Sequence, residues 1–444
     1  MAVWSGLEKY EPSNKGMKVI PETSLLPPTH NLRFIDDAIN IPAKATLKHA
    51  TRAGLIFGNV TRNQRLTSES HFQDIRNIRI ESESPIKFSA GDALQITPRN
   101  STENVEIAIA AFGWSEIADK PIMISRSSIP SGDDDEYGDI FESLTTIRNI
   151  LFILEFTMKP TRYTFQLLSH LITSGEDYRS KLEFLGSREG ASDRTAYILA
   201  ANRSVIDVWN DFKSESDIFP INYLFDISRR MRPRLYSISN SEHEDAVEIT
   251  VAVIDNVKLV KRKPKGVCSI YLAGIEVGAN VLFSVCKGGL KAAASDVPIV
   301  CVGAGTGVAP LRSLILSRGN LSTDLLVFGC RFQLHDYIYG PESELGNWKC
   351  SVVNTFSRDS LVGYGPYVSD AIEQNCGDVC DIVRRNAAVY VCGRNGLRSS
   401  VKQAFISLFA KFNLGSSEEG DPLEFAEREY EGRVESGQIQ FETW

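Results

Sequence analysis

No run of about 18 or more apolar residues occurs in the 444-residue chain, so no membrane-spanning helix is expected. The first residues, Met1 to Tyr10, contain no continuous apolar stretch after a basic start and do not read as a signal peptide. No internal repeat is visible. There is no excess of basic charge either: the formal net charge is -8, which disfavours a nucleic-acid partner. None of the eight cysteines forms a Cys-x-x-Cys pair, and several sit inside apolar strand-like runs. They read as reduced, mostly buried thiols of a cytoplasmic protein, with Cys392 set apart by its position. What is present is ordinary for a globular chain, 43% hydrophobic and 23% charged residues, enough for two or three domains with sizeable cores.

Along the chain the patterning changes four times. Residues 1–45 are rich in Pro, Ser and Lys, lack periodicity and read as a linker, with Pro27-Pro28 as a stiff stop. A short amphipathic stretch, Trp4, Leu7 and Tyr10, reads as the end of a helix. Residues 46–100 carry short alternating segments, such as Ile75 to Ile80 and Leu94 to Ile96, separated by turns such as Ala90-Gly91-Asp92. That is the pattern of an antiparallel barrel or meander. Helical spacing then prevails over residues 101–225, for example at Phe165 to Leu171 and Val205 to Phe212. Within this block Ser131 to Glu136 reads as a solvated acidic loop with no metal role. Strands return over residues 226–292, so a helical block interrupts a β domain. From 293 to 444 strands and helices alternate. The strands are Pro298–Val302, Leu325–Gly329, Ser351–Thr355 and Ala388–Cys392, with helices such as Val308–Ser317 and Leu397–Phe412 between them. This predicts a doubly wound α/β domain on a parallel sheet.

Two glycine turns carry chemistry. In Pro298 to Pro310 a buried strand runs into Gly303-Ala-Gly305-Thr306-Gly307 and then a helix. Glycines let the backbone approach a pyrophosphate, and the helix N-terminus offers free N–H groups. The spacing is not G-x-G-x-x-G, so a tight strand-to-helix turn without a ligand is the competing reading. The next strands favour the ligand. One ends on Arg331 and the following one on Ser357-Arg358, where a domain for NAD would carry an acid. Guanidinium groups there suit a 2′-phosphate and hence NADP. The second turn is Lys265-Gly266-Val267-Cys268-Ser269. It follows the strand Arg234-Leu235-Tyr236-Ser237-Ile238-Ser239, whose arginine can hold a phosphate, tyrosine stack on a flavin ring and serine hydrogen-bond near a flavin nitrogen. Cys392 ends a strand of the α/β domain, where ligands gather. The terminal Trp444 is either a hydrophobic plug or an indole lying over a flavin.

These residues, taken in order, resemble the ferredoxin–NADP+ reductase superfamily in its cytochrome P450 reductase-like branch. The matching elements are Arg234-x-Tyr236-Ser237, Gly266 to Ser269, Gly303 to Pro310, Gly329-Cys330-Arg331, Ser357-Arg358, Val391-Cys392-Gly393 and the aromatic end. Within that branch Asn63 to Arg76 and Phe441-Glu442-Thr443-Trp444 are similar to the diflavin reductases of cytosolic iron–sulfur assembly. The resemblance implies an antiparallel β-barrel FAD domain (46–100 and 226–292) with a helical connecting insert (101–225), followed by the NADP domain (293–444). It implies FAD at Arg234, Leu235, Tyr236, Ser237, Gly266, Val267, Cys268, Ser269 and Trp444, with Arg203 a further candidate. It implies NADPH at Gly305, Thr306, Gly307, Arg331, Ser357, Arg358 and Tyr367. Ser237, Cys392, Glu442 and Trp444 would surround the hydride path, Glu442 standing where the family usually has aspartate. Arg394 stands where an aspartate is common after the Cys-Gly pair. Gly365, Pro366 and Ser369 surround Tyr367 in place of the usual Lys and Gln. The implied partners are a flavodoxin-like FMN domain, in cis before residue 1 or in trans, and an anamorsin-like iron–sulfur protein. The alternatives are a stand-alone FAD reductase acting directly on an iron–sulfur or haem protein and, more remotely, a non-catalytic scaffold.

Overall fold

The computed structural model describes residues 25–35, 55–126, 144–254, 266–318, 323–340, 348, 350–359, 365–414 and 421–444. Trp4 to Tyr10, the Ser131–Glu136 loop and Lys265 lie outside them. Strands along the described chain are β1 (His30–Phe34), β2 (Ile56–Arg65), β3 (Ile75–Glu81), β4 (Ala93–Ile96), β5 (Ile122–Arg126), β6 (Leu144–Thr145), β7 (Arg234–Ser237), β8 (Val247–Ala252), β9 (Asn280–Cys286), β10 (Ile299–Ala304), β11 (Leu325–Cys330), β12 (Ser351–Phe356), β13 (Ala388–Gly393) and β14 (Ile439–Thr443). The chain divides into two compact units, one of residues 1–53, 97–232 and 255–271, the other of 54–96, 233–254 and 272–444. Among the described residues no helix is long and apolar enough to cross a membrane.

The first unit is mainly helical. Helices Arg162–Leu171 and Val205–Phe212 each begin with a capping box, at Thr161 and Ser204, which satisfies backbone N–H groups reciprocally. Helix Thr102–Phe112 stops at Gly113, whose φ of 77° lets its N–H turn back to carbonyls of the last turn. The core centres on Phe112, Trp114, Trp209 and Phe219, with Trp209 and Phe219 rings 5.2 Å apart. Both indole N–H groups are satisfied inside it, Trp114 Nε1 donating to the Phe219 carbonyl at 2.7 Å and Trp209 Nε1 to that of Ala111 at 2.8 Å. The stretch 1–45, expected to be linker, supplies β1 to a small sheet in the order β1-β5-β6. Five residues with an exposed phenylalanine at the end are too short and irregular to stand out by periodicity; pairing with β5 makes them a strand.

The second unit holds two sheets. The antiparallel one has the order β7-β4-β9-β2-β3-β8, and an isolated bridge joins Ile238, after β7, to Ile249 on β8. The other is parallel throughout, in the order β12-β11-β10-β13-β14. Its central strands are continuous apolar runs because helices cover both faces. The order reverses between β10 and β13, the switch point outside which ligands bind in such sheets. Four of these strands are the apolar runs of the sequence; β14, at the chain's end, is the fifth. Its sequence Ile-Gln-Phe-Glu-Thr alternates apolar and polar residues, but it is short, sits at the chain's end and takes all its partners from the edge of β13.

Candidate functional site

At the switch point β10 leads through Gly305-Thr306-Gly307 into helix Val308–Leu316. Gly305 takes a φ of +56°, which favours glycine, and a Cβ there would meet nothing within 4 Å, so the backbone faces open space. Gly307 is needed for the opposite reason: a Cβ would stand 2.1 Å from the Cys392 carbonyl oxygen. No side chain caps this helix start; the Val308 N–H turns back to the Gly305 and Thr306 carbonyls and Pro310 has no N–H, so the open backbone is that of the glycine turn. An open cradle beside an uncapped nine-residue helix fits a phosphate.

The predicted NADP residues lie along the same sheet end. Arg331 follows β11, and Ser357 and Arg358 follow β12. The two strand ends are tied together, Ser357 N–H donating to the Cys330 carbonyl at 3.0 Å and Arg358 N–H to that of Arg331 at 2.8 Å. Ser357 is buried, its hydroxyl 3.3 Å from the Cys330 carbonyl. Burial lowers the Arg331 pKa; Asp336 opposes this, and the charges of Arg394 and Arg358 push the same way as burial. Arg394, the departure after Cys392-Gly393, therefore adds positive charge to this corner. Tyr367 is half exposed at the start of helix Val368–Gln374, its N–H held by Asp370 at 2.7 Å.

Of the four residues assigned to the hydride path, Cys392 and Glu442 lie on two strands of the parallel sheet, Ser237 on one of the antiparallel sheet, and Trp444 just beyond β14. Glu442 on β14 is in register with Cys392 on β13, and the Ser237 hydroxyl at the end of β7 donates to Glu442 Oε1. Burial raises the Glu442 pKa; the Ser237 hydrogen bond and the Gly289 backbone N–H partly oppose it. Glu442 Oε2 is buried without a hydrogen-bond partner. An orphaned buried oxygen here fits a polar ligand group completing the site. Cys392 is pushed well up by burial and then by the Glu442 charge, so it remains a thiol at neutral pH. Trp444 donates its backbone N–H to the Gly393 carbonyl at 3.1 Å while its side chain is 52% exposed.

On β7 Arg234, Tyr236 and Ser237 are half buried, and Leu235 is 66% exposed. Arg203 belongs to the first unit, where its guanidinium pairs with Asp211 at 2.8 Å, donates to the Tyr197 carbonyl and lies over the Tyr197 ring. The structure thus gives it a role in holding two helices together. Gly266, Val267, Cys268 and Ser269 also lie in the first unit, at the start of helix Val267–Ala273, with Ser269 Oγ donating to the Gly266 carbonyl at 3.1 Å. Gly289, beside the Glu442 carboxyl, is not evident from spacing, and its one signal in the sequence is the Gly-Gly dipeptide at 288–289. All eight cysteines are free thiols.

A family model described as an FAD binding domain matches residues 49–271. The NADPH-dependent diflavin oxidoreductase 1 of Debaryomyces hansenii is 31% identical over 424 residues, covering 90% of this chain and 69% of that protein. The chain belongs to the diflavin reductases. The Candida albicans diflavin oxidoreductase is 30% identical over 88% of this chain and 66% of its own length, and that of Danio rerio is 28% identical over 100% and 75%. This diflavin reductase chain spans about two thirds of the length of its fungal relatives.

Proposed function

We propose that the chain is the FAD- and NADPH-binding portion of an NADPH-dependent reductase. Its electrons would go through an FMN-binding, flavodoxin-like domain to an anamorsin-like iron–sulfur protein in the cytoplasm. The observation that carries the reading is the meeting of Ser237, Glu442 and Cys392 beside the Gly305–Gly307 cradle. A hydroxyl, a buried carboxyl with one free oxygen and a neutral thiol are what a charge-balancing redox site needs, and a terminal tryptophan stands next to them. The antiparallel sheet, which the Ile238–Ile249 bridge would close into a barrel, is the expected FAD module.

The bound groups would supply hydride donation from a nicotinamide and its acceptance by a flavin. The chain's residues would do the rest. Gly305, Thr306 and Gly307 bind phosphate through backbone N–H groups, and Arg331, Ser357, Arg358 and Tyr367 take the 2′-phosphate end. Arg234, Leu235, Tyr236 and Ser237 hold the flavin, while Gly266, Val267, Cys268 and Ser269 are assigned to its pyrophosphate on sequence grounds alone. The Glu442 carboxylate, oriented by Ser237, offsets positive charge that develops on the donor ring. Cys392, held as a thiol, keeps a second anion out of the site. Trp444 can turn its indole about its side-chain bonds without breaking its backbone hydrogen bond to Gly393, so it can cover a flavin and uncover it. The test is spectroscopic. The purified chain, supplied with FAD, should be yellow and bleach anaerobically on addition of NADPH. A colourless protein, or a spectrum indifferent to NADPH, refutes the reading.

A further inference from the structure

The segment Leu66 to Asp74, between β2 and β3, has no part in the assignments above, yet it is built against Arg331. Arg65 organises it from beneath, donating to the carbonyls of Ser68 at 2.9 Å and His71 at 2.8 Å. Ser68 fixes it to the end of β11's loop: its N–H donates to the His335 carbonyl at 2.9 Å, and its hydroxyl lies 2.9 Å from His335 Nδ1. His71 is buried, with its ring stacked 6.3 Å from that of His335 and its Nε2 3.7 Å from Asp336 Oδ2. Asp336, also buried, accepts the backbone N–H groups of Arg331 at 3.1 Å and Phe332 at 2.6 Å. The backbone of Arg331 is therefore set by a carboxylate that lies beside the segment's His71 ring.

The side chain of Arg331 is treated separately. Its guanidinium lies over the Phe72 ring, 4.7 Å from the centroid. Among the described residues no carboxylate pairs with that guanidinium, while Arg358 and Arg394 both repel it. The nearby Asp336 carboxylate is committed to backbone N–H groups, and a guanidinium that lies over a ring and faces two other cations is poised for an anion. Phe72 is 65% exposed, so burying itself does not explain its place.

We propose that Phe72 is a positioning residue for Arg331, fixing the guanidinium for a 2′-phosphate and so setting the preference for NADPH over NADH. The inference rests on the reading that Arg331 meets that phosphate. The ring limits the rotamers of a long side chain before the ligand arrives, so less freedom is lost on binding.

The test uses the full chain loaded with FAD. Binding of 2′,5′-ADP and of 5′-AMP is measured by calorimetry, and NADPH and NADH are compared in single-turnover flavin reduction. Phe72→Leu should weaken 2′,5′-ADP about two- to five-fold, the loss expected for an exposed cation–π contact. It should leave 5′-AMP and the limiting reduction rate unchanged, raising only the half-saturating NADPH concentration. Phe72→Tyr should restore wild-type behaviour. In an Arg331→Ala background, Phe72→Leu should have no further effect. Equal weakening of both nucleotides, or the same penalty without Arg331, overturns the proposal and points to a docking or purely structural role for the ring. Arg331→Ala alone separates the two levels. If it leaves 2′,5′-ADP no weaker relative to 5′-AMP, the 2′-phosphate assignment itself falls, whatever Phe72 does.

Discussion

Replacing Ser237 with alanine perturbs the candidate site through one atom. Glu442 Oε1 loses the hydroxyl that donates to it, and Oε2 already has no hydrogen-bond partner. The ionised carboxylate is then left with the Gly289 backbone N–H alone. Leaving a buried acceptor in that state costs about 1–3 kcal/mol. The cost falls on the charged form, so the Glu442 pKa, already raised by burial, should rise further. A carboxyl with a raised folded pKa favours folding below the ordinary glutamate range and loses that contribution as pH rises through the folded value. The thermal stability gap between wild type and Ser237→Ala should therefore widen from acid to alkaline pH. In anaerobic stopped-flow flavin reduction with saturating NADPH, the acid limb of the rate should lie above the usual carboxylate range. In Ser237→Ala it should move to still higher pH, and in Glu442→Gln it should vanish. A limb that stays put in Ser237→Ala, or persists in Glu442→Gln, would refute the assignment of that limb to Glu442.

Other outcomes follow from particular contacts. Gly307→Ala places a Cβ against the Cys392 carbonyl and should cost about 1–3 kcal/mol in thermal unfolding, whereas Gly377→Ala, with open space around it, should be near neutral. Trp444→Ala should narrow the ratio of NADPH to NADH efficiency in steady-state kinetics while leaving the melting temperature unchanged, because its half-exposed ring contributes little packing. An unchanged cofactor ratio would count against the indole as a cover. Arg312 donates to the Ser239 carbonyl at 2.7 Å and faces buried Glu248 at 3.4 Å. Burial pushes the Glu248 pKa up, but Arg312 first and then Arg62, with hydrogen bonds from Asn77 and Arg79, bring it below the ordinary value. Such a group stabilises above its unfolded pKa and loses that contribution as pH falls through the folded one. Arg312→Ala should cost about 3 kcal/mol at neutral pH, since a buried partner is left behind, and less in acid, as measured by denaturant or thermal melts.

Much of this protein is written locally. The apolar strand Ile299–Ala304, the glycines that follow it and the arginines at the next strand ends are legible because each answers a local need. These are full burial in a parallel sheet, backbone close to a ligand, and positive charge at a carboxyl end. The capping boxes at Thr161 and Ser204 are local in the same way. Other features needed the fold. β14 is a strand only because β13 offers it an edge, and that parallel register is what sets Glu442 opposite Cys392. Ser237 reaches Glu442 from 205 residues away, across two sheets of one unit. Arg203 stands alone in the sequence, and only the fold puts Asp211 and the Tyr197 carbonyl against its guanidinium. Arg394 looked like a departure from a family pattern, and in the structure its charge joins those of Arg331 and Arg358. Spacing and periodicity describe neighbours along the chain. The groups that tune charge here are neighbours only through hydrogen-bonded register and packing, which bring distant strand ends to one place.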